Sequence, residues 1–415
     1  MLYRALTGMS EPFAGLALRL KARDESPELW AERLGRGTVA AGAHWWHAAS
    51  MGEVAALEPV LRVHRSRGGG PFAVTTTTTT GRERASRLWG ACVSLAPLDF
   101  PRAVRRVLDA RRPRSLITVE TEVWPNLWRE AFRREVPVAM VNARISDRTL
   151  PRYRQGRGLF GPLFARVRAA AARTERDAER LVALGVGAAA VRITGNTKHD
   201  LLPEGGAPPA PLPWKEGPVW VAGSVHPGEA GALVRTHQAL ARRIPGLRWV
   251  VAPRHLDRVG WWLDRLAPLD PVRRSRPGPR DAAARVLLLD THGELPGVLA
   301  AAHAAFIGGT LVPLGGHNPL EASAAGVPVA GGPYIGNARE DWEALHAVGA
   351  GVSVPDESAL IDALQPWLAD PVARTEAGEG ARQAVTALRG ASAATFAWLL
   401  ERGVVTAGCE KDSTP

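Results

Sequence analysis

The feature of the sequence that most constrains the fold is an alternation of short apolar runs with longer amphipathic stretches. Apolar runs at 39–49, 72–74 and 115–119 alternate with amphipathic stretches such as 54–64 and 82–89. Short apolar runs are typical of buried strands, and amphipathic stretches are typical of helices that cover a sheet. The alternation therefore predicts an α/β fold with a parallel sheet and helices on both faces.

The same alternation occurs again beyond a segment at 201–218, LLPEGGAPPAPLPWKEGP, whose prolines and glycines are typical of a linker. A chain of 415 residues is also too long for one compact core. Strands of the second half are predicted at 219–222, 249–252, 286–289, 304–307 and 327–330. The predicted organisation is an N-terminal amphipathic segment at 1–30, a first domain at 31–205, a linker at 206–218, a second domain at 219–404 and a disordered tail at 405–415.

Two doubly wound domains of this kind predict where a ligand binds. In open α/β sheets, ligands bind beyond the carboxyl ends of the strands, and two such domains would face a central cleft. The residues that directly follow predicted strands are therefore the candidates for function.

Glu53 is the first candidate, because it follows a predicted strand in HWWHAASMGEV at the start of a helix. Ser50 and Glu53 form an S-x-x-E capping box, which can serve only to satisfy backbone donors at the helix start. Alternatively, a carboxylate at this edge, beside backbone N–H groups, could accept a proton from a substrate hydroxyl. The sequence pattern leaves both interpretations open.

A pair of glutamates, Glu120 and Glu122, ends another predicted strand in VETEVWPN. Two like charges this close are costly unless a cation or substrate hydroxyl groups lie between them. Arg144, from NARISDR, is the predicted cation.

The second half carries its polar candidates in similar positions. Arg254 and His255 follow one predicted strand, and Gly293 follows another. In FIGGTLVPLGGHNPLEASAAGVP, Gly315 and Gly316 lead into a predicted helix start, where unpaired backbone N–H groups favour an anion. Asn318 is predicted as the N-cap and Pro319 as the first helical residue, and Glu321 is a candidate for sugar hydroxyls.

Composition excludes several other classes. With only Cys92 and Cys409, the chain has neither a disulfide framework nor a thiolate metal cluster. The sequence has no H-x-x-x-H or D-x-D motif, no P-loop, and no G-x-G-x-x-G after the first strand, so no metal ion and no cofactor is predicted. The net charge of +11 favours acidic partners, although a nucleic-acid partner is not predicted.

The N-terminal segment has apolar residues at helical spacing with basic residues at its flanks. This amphipathic pattern suits a membrane surface or packing on the protein itself, and Pro12 interrupts it. The apolar residues of the pattern are Leu2, Leu6, Met9, Phe13, Leu16 and Leu20.

Several motifs occur in one order between residues 33 and 339, among them WWHAASMGEV, LITVETEVWPNL, GNTKHD, GSVHPGEA and APRHLDR. Together with GGTLVPLGGHNPLEASAAGVPV, they resemble the 3-deoxy-D-manno-octulosonic acid (Kdo) transferases, lipopolysaccharide core glycosyltransferases with a GT-B fold of two Rossmann-like domains. The resemblance implies that Glu53 is the general base and that Glu122 is its companion carboxylate. Ser50, Gly52, Glu120 and Arg144 would lie on the acceptor side.

The resemblance further implies that the C-terminal domain binds the donor, CMP-Kdo. The residues implied for this role are Arg254, His255, Gly293, Gly315, Gly316, Asn318 and Glu321. An inverting, metal-independent transfer to a lipid A precursor, at the cytoplasmic face of the bacterial inner membrane, follows as an expectation. The membrane surface would then be a peripheral partner.

Two alternatives remain at this point. One is another GT-B-like enzyme acting on nucleotide sugars, such as a hexosamine-nucleotide 2-epimerase, and the other is a non-catalytic homologue that binds CMP. Release of CMP from a cytidine donor would distinguish a Kdo transferase from the first alternative. CMP binding without turnover would identify the second. The number of Kdo residues transferred, the acyl pattern of the acceptor and the oligomeric state are left open.

Overall fold

The computed structural model describes residues 3–4, 6–8, 11, 25–36 and 41–406, and its chain divides into two compact units. The first unit comprises Met1–Leu201 and Arg389–Pro415, and the second comprises Leu202–Leu388. Each unit contains a parallel seven-stranded sheet with helices on both faces. The predicted α/β fold class, with two doubly wound units, is confirmed.

The first sheet has the strand order β3-β2-β1-β4-β5-β6-β7. Its strands are β1 His44–His47, β2 Phe72–Thr76, β3 Val93–Leu95, β4 Ser115–Val119, β5 Val138–Ala143, β6 Ala169–Ala172 and β7 Val191–Ile193. Its helices are α1 Pro27–Ala31, α2 Met51–Ser66, α3 Thr79–Trp89, α4 Pro101–Arg111, α5 Pro125–Arg133, α6 Leu150–Gln155, α7 Arg157–Phe164 and α8 Glu175–Leu184.

The second sheet has the strand order β10-β11-β9-β8-β12-β13-β14. Its strands are β8 Val219–Val225, β9 Arg248–Pro253, β10 Val272–Arg273, β11 Val286–Leu288, β12 Ala304–Ile307, β13 Val329–Gly331 and β14 Gly351–Ser353. Its helices are α9 Ala230–Arg243, α10 Val259–Leu266, α11 Leu295–Ala300, α12 Leu320–Ala324, α13 Arg339–Ala347, α14 Glu357–Ala369 and α15 Pro371–Ala387. The last helix, α16 Ala391–Glu401, belongs to the first unit.

Helices cover both faces of each sheet. Successive residues of a strand point to opposite faces, so burial of consecutive strand residues shows that both faces are covered. In β1, Trp45 packs in one buried apolar cluster and Trp46 in another, and neither indole is exposed. In the second unit, Trp220 and Trp249 stack side by side on neighbouring strands, with ring centroids 5.0 Å apart. Because large apolar side chains are buried on both faces, the sequences of these strands are continuous apolar runs.

The order of strands reverses once in each sheet, and each reversal opens a crevice at the carboxyl edge. In the first sheet the reversal lies between β1 and β4, so the residues after these two strands are neighbours. In the second sheet it lies between β8 and β12.

The units differ from the predicted domains at two boundaries. The predicted linker packs on the second unit, where the Ala210 N–H donates to Gly297 O at 2.8 Å and the Trp214 indole donates to Ala284 O at 2.7 Å. The predicted second domain extends to residue 404, but α16 packs on α2 and the residues after it, Val404 and Val405, are buried in the core of the first unit. Residue 405 therefore does not begin a disordered tail, and residues 407–415 lie outside the described part.

Most of the N-terminal amphipathic pattern also lies outside the described residues, namely Leu2, Met9, Phe13, Leu16 and Leu20. Near it, the Tyr3 hydroxyl donates to Asp99 at 3.1 Å, the Asn126 amide donates to Thr7 at 3.0 Å, and Leu6 is exposed. Within the described ranges, no helix combines the length and apolar character that crossing a bilayer requires.

Candidate active site

Glu53 lies in the first turn of α2, directly beyond the end of β1. Ser50 is the N-cap of α2, but its side chain makes no capping hydrogen bond. Its hydroxyl donates instead to Glu53 Oε1 at 3.3 Å, while Glu53 Oε2 accepts the Ala49 N–H at 2.5 Å. Neither hydrogen bond of the predicted capping box is therefore formed, because the backbone donor to Glu53 is Ala49, the residue before the N-cap. The two bonds instead hold the carboxyl group at the carboxyl edge of the sheet.

The environment of Glu53 changes its acidity. Burial, followed by the negative charge of Glu122, raises the pKa of Glu53 to about 8. The hydrogen bond from Ala49 opposes this rise, and the charge of Glu120 adds to it. Because its pKa lies close to neutral, Glu53 can exchange a proton under ordinary conditions.

Glu120 and Glu122 lie in the turn after β4, next to β1 in the sheet. Glu120 adopts a left-handed backbone conformation with φ 56°, which is strained for a residue with a side chain. Glu122 Oε2 accepts the indole N–H of Trp124 at 2.9 Å. Burial, and then the charge of Glu120, raises the pKa of Glu122. The crevice thus gathers three glutamates, as the two sequence motifs suggest.

The cation beside these glutamates is Lys198, not the predicted Arg144. Lys198 Nζ lies 2.9 Å from Glu120 Oε1, and a Cβ added to Gly52 would lie 4.0 Å from the same nitrogen. Arg144 contributes its backbone carbonyl, which accepts the Thr121 hydroxyl. Lys198 is far from Glu120 in sequence, so no local pattern pointed to it.

Two hydrogen bonds at Thr197 hold the turn that carries Lys198. The Thr197 N–H donates to Asn142 Oδ1 at 3.1 Å, and its hydroxyl donates to Ala56 O at 2.7 Å. Asn142 itself has a left-handed φ of 50° at the end of β5. Because these partners are buried, the position of Lys198 is set by β5 and α2 together.

Two aromatic residues complete the crevice, and the sequence analysis missed both. His47, at the end of β1, is buried with Nε2 4.0 Å from Glu122 Oε2, and burial lowers its pKa to about 4, so the ring is neutral at pH 7. The Tyr153 hydroxyl donates to Thr121 O at 3.0 Å. Burial, together with the charge of Glu122, raises the pKa of Tyr153 to about 12.

The second unit builds its crevice around Glu229, which has no exposed surface. Its carboxylate accepts backbone N–H groups from His226 and Gly309, both at 2.9 Å, and from Thr310 and Leu311, both at 3.1 Å. Four hydrogen bonds satisfy a buried charge that would otherwise be very costly. Glu229 thereby ties the loop after β8 to the glycine-rich loop after β12, although the sequence analysis had not singled it out.

The glycines of that second loop are required by its backbone. Gly315 and Gly316 have φ values of 86° and 77°, which residues with side chains rarely adopt. A Cβ on Gly315 would lie 2.6 Å from the Asn337 side chain, and one on Gly316 would lie 3.0 Å from Tyr334 O. The backbone can therefore pass close to its neighbours only without side chains at these positions.

The helix after this loop is short and begins one residue later than predicted. α12 spans only five residues, and its N-cap is Pro319, which was predicted as the first helical residue. The Asn318 side chain still accepts the Leu320 N–H at 2.9 Å. Glu321 is half-buried, and burial raises its pKa. Among the described residues its carboxyl group has no hydrogen-bond or ion-pair partner.

Histidines surround the same loop. His226 and His317 stack with centroids 5.2 Å apart and Nε2 atoms 2.9 Å apart, and His255 contacts His226 edge-on. Burial, and then the charges of His226 and Arg254, lowers the pKa of His317 to about 4. Arg254 and His255 are exposed after β9. The structure thus brings these two predicted residues beside the glycine-rich loop.

Gly293 lies further along the same edge, in the loop after β11, with a φ of 82°. Its neighbour Glu294 is paired with Arg274 at 2.7 Å. Within the part of the chain that the structure describes, no cluster of three or more histidine, cysteine or acidic side chains has the geometry to hold a metal ion.

Comparisons with known proteins identify relatives of this chain. Residues 28–201 match the family model described as 3-deoxy-D-manno-octulosonic-acid transferase (kdotransferase). The chain is 36% identical over 381 residues to a 3-deoxy-D-manno-octulosonic acid transferase of Bordetella pertussis, covering 85% of each chain. It is 32% identical over 356 residues to the enzyme of the same name from Haemophilus influenzae, covering 83% of each.

A solved structure shows the same fold at low identity. UDP-GlcNAc 2-epimerase from Neisseria meningitidis, bound to UDP-GlcNAc, is similar with a TM-score of 0.59, 14% identity, and coverage of 86% of this chain and 100% of that one. At such an identity the likeness concerns the fold alone.

Proposed function

The chain belongs to the 3-deoxy-D-manno-octulosonic acid (Kdo) transferase family, and from this premise we propose that it moves Kdo from CMP-Kdo to a lipid A precursor in lipopolysaccharide biosynthesis. The observation that carries the proposal is the Glu53 carboxyl group, held at the carboxyl edge of the first sheet with a pKa of about 8. Such a group suits the proton transfer that glycosyl transfer to a hydroxyl requires.

In the proposed reaction, Glu53 acts as general base. The acceptor hydroxyl oxygen forms a bond to the anomeric carbon of Kdo, its proton passes to the Glu53 carboxylate, and the bond from the anomeric carbon to the phosphate breaks. CMP leaves with the electron pair of that bond. Attack from the face opposite the phosphate inverts the anomeric carbon.

The neighbours of Glu53 would prepare the acceptor. Gly52 has no side chain, which leaves room for a sugar beside the start of α2. Ser50 and Glu120 offer hydrogen bonds to hydroxyl groups, and Lys198 limits the repulsion among the carboxylates through its contact with Glu120. Glu122 would act as the companion carboxylate, whose charge raises the pKa of Glu53. Arg144 remains a candidate on the acceptor side.

The second unit would hold the donor. Arg254 is exposed and its guanidinium can bind a phosphate at two oxygens. The glycine-rich loop at Gly315 and Gly316 allows a nucleotide close to the backbone, beside Asn318. Glu321 has an unpartnered carboxyl group among the described residues, which suits ribose hydroxyls. His255 and Gly293 complete the proposed donor residues.

These groups can also stabilise the departing CMP. A guanidinium and backbone N–H groups placed at the developing phosphate charge lower the barrier without a metal ion. We therefore expect transfer to continue at an unchanged rate in excess chelator, and a loss of activity that magnesium restores would contradict metal independence. Because the proposed acceptor is a lipid, we place the protein peripherally at the cytoplasmic face of the bacterial inner membrane.

The proposed function is tested by mass spectrometry of a lipid A precursor incubated with the protein and CMP-Kdo. Wild-type protein should add one or more Kdo residues and release CMP, and Glu53→Gln should add none while still binding CMP. Glu83→Gln is a matched control, because Thr80 and Glu83 form a T-x-x-E pattern similar to the S-x-x-E pattern of Ser50 and Glu53, but the Glu83 side chain is exposed. Wild-type protein that binds CMP but transfers no Kdo would refute the proposal.

A further inference from the structure

Four exposed arginines form what we name the arginine patch, comprising Arg148, Arg152, Arg154 and Arg157. The first lies in the loop after β5, the next two on α6, and the last at the start of α7. Within the described residues, none of the four side chains makes a hydrogen bond or an ion pair. Their charges are therefore uncompensated by the protein.

Several other arginines of the same chain do have acidic partners. Arg134 pairs with Asp109 at 2.6 Å, and Arg274 pairs with Glu294 at 2.7 Å. The acidic residue that precedes the patch, Asp147, is bound by Arg176 and Arg180 on α8. From residue 148 to residue 174 the sequence contains no aspartate or glutamate. The patch is therefore a concentrated positive surface.

The position of the patch relates it to the candidate active site of the first unit. α6 follows β5 directly, so the patch lies at the carboxyl edge of the sheet, as do Glu53, Glu120 and Glu122. Tyr153, between two patch arginines in sequence, is half-buried and donates to the carbonyl of Thr121. This bond anchors α6 beside the turn that carries the glutamates, so the patch borders the crevice.

We propose that the arginine patch docks the first unit onto a surface of anionic phospholipid headgroups, with the carboxyl edge of its sheet facing the lipid. The proposal rests on the proposed function in one respect, since a lipid acceptor must be reached at a membrane. Guanidinium groups bind phosphates with two hydrogen bonds, and basic residues near an anionic leaflet each strengthen adsorption.

Electrostatic attraction dominates at this surface. The apolar side chains of α6 and α7, such as Leu150, Leu159 and Phe160, are half-buried against the unit rather than fully exposed. Little apolar surface is therefore available for insertion, and adsorption should depend on charge. Salt screens such interactions within about 10 Å at 0.1 M, so added salt should weaken the binding.

The test is flotation of the full chain with vesicles of phosphatidylethanolamine and phosphatidylglycerol, compared with vesicles of phosphatidylcholine alone. The patch variant replaces all four patch arginines with glutamine. The control variant carries the same charge change at the opposite edge of the same sheet, where four exposed arginines also lack partners among the described residues: Arg65, Arg67, Arg87 and Arg114.

We expect the patch variant to partition onto the anionic vesicles at least about tenfold less than wild type, and the control variant to stay within about twofold. Wild-type binding should fall to the level of the patch variant in about 0.5 M salt. Equal losses in both variants would mean that only net charge matters, and unchanged binding of the patch variant would mean that another surface docks. Either result overturns the proposal.

A kinetic measurement distinguishes the bilayer from the acceptor itself. With the acceptor dispersed in neutral detergent, the patch variant should keep the kcat and KM of wild type. A raised KM there, with vesicle binding unchanged, would assign the patch to a phosphate of the acceptor and overturn the docking proposal. Flotation uses neither donor nor acceptor, so failure of the proposed transferase activity would leave the vesicle result independently readable.

Discussion

The substitution Glu53→Gln separates a catalytic role from a structural one, because the two predict opposite changes in stability. Glutamine keeps the shape of the side chain and can still accept the Ala49 N–H. It cannot take a proton from a hydroxyl. We therefore expect kcat to fall by about 10²–10⁴-fold, the usual contribution of a general base.

The effect on stability follows from the pKa of Glu53. Burial raises this pKa from its ordinary value of 4.5 to about 8 in the folded protein. The folded state therefore favours the protonated carboxyl group, whose contribution to stability is fully present below pH 4.5 and is lost as the pH rises through 8. Above pH 8 the lost free energy of unfolding has an upper bound of about 5 kcal/mol.

Glu53 is partly exposed, so solvent screening reduces that bound to roughly 1–3 kcal/mol. Glu53→Gln has no charge to bury, so it should be more stable than wild type by this amount at pH 8.5 and similar to it at pH 4.5. Urea denaturation at the two pH values measures the difference. A variant that is less stable at both pH values, by about 0.5–2 kcal/mol, and retains full activity would refute the reasoning and identify Glu53 as a helix cap.

Three further predictions concern the surroundings of both crevices. Lys198→Gln removes the cation that contacts Glu120, so the pKa of Glu53 should rise. The acid limb of the pH–rate profile should then move upward by up to about one pH unit, and Lys198→Arg should restore its position. An unmoved limb would contradict this role. Glu229→Gln replaces a buried carboxylate that accepts four N–H groups, so the free energy of unfolding should fall by about 2–3 kcal/mol. The affinity for CMP, measured by calorimetry, should also weaken. Unchanged affinity would show that the two loops joined by Glu229 do not bind the nucleotide. Gly315→Ala should destabilise the protein by about 1–3 kcal/mol in thermal denaturation, because Gly315 has a φ of 86° and an added Cβ would meet the Asn337 side chain. Gly336→Ala is the control and should be nearly neutral, since an added Cβ there meets nothing within 4 Å. Equal effects of the two substitutions would argue against backbone strain at Gly315.

Local patterns predicted the elements of the fold, because each depends on neighbouring residues. Strands such as β4 and β12 occur where the apolar runs are, and Glu53 and Glu122 lie beyond the strands that precede them in sequence. α16 shows the limit of such patterns. Its apolar sequence predicts a buried helix but not which sheet it covers, and it returns to the first unit across a long interval of sequence.

Residues that complete the crevices were missed when their partners are distant in sequence. Lys198 is 78 residues from Glu120, and Glu229 is 80 residues from Gly309. The sequence analysis predicted Arg144 as the cation instead of Lys198, because the pattern of charges along a sequence does not encode distance in space. His47 carried no local signal beyond its position in a buried strand.

The sequence by itself determined the alternation of strands and helices, the glycines that a left-handed backbone requires, and the glutamates placed at strand ends, since these depend on the local period of apolar residues and on backbone sterics. Only the tertiary structure decided which side chains share a crevice, that Lys198 balances Glu120, and that the pKa of Glu53 rises to about 8. The physical reason is that desolvation and Coulomb interactions depend on distances through space, which the order of strands in the folded sheet establishes.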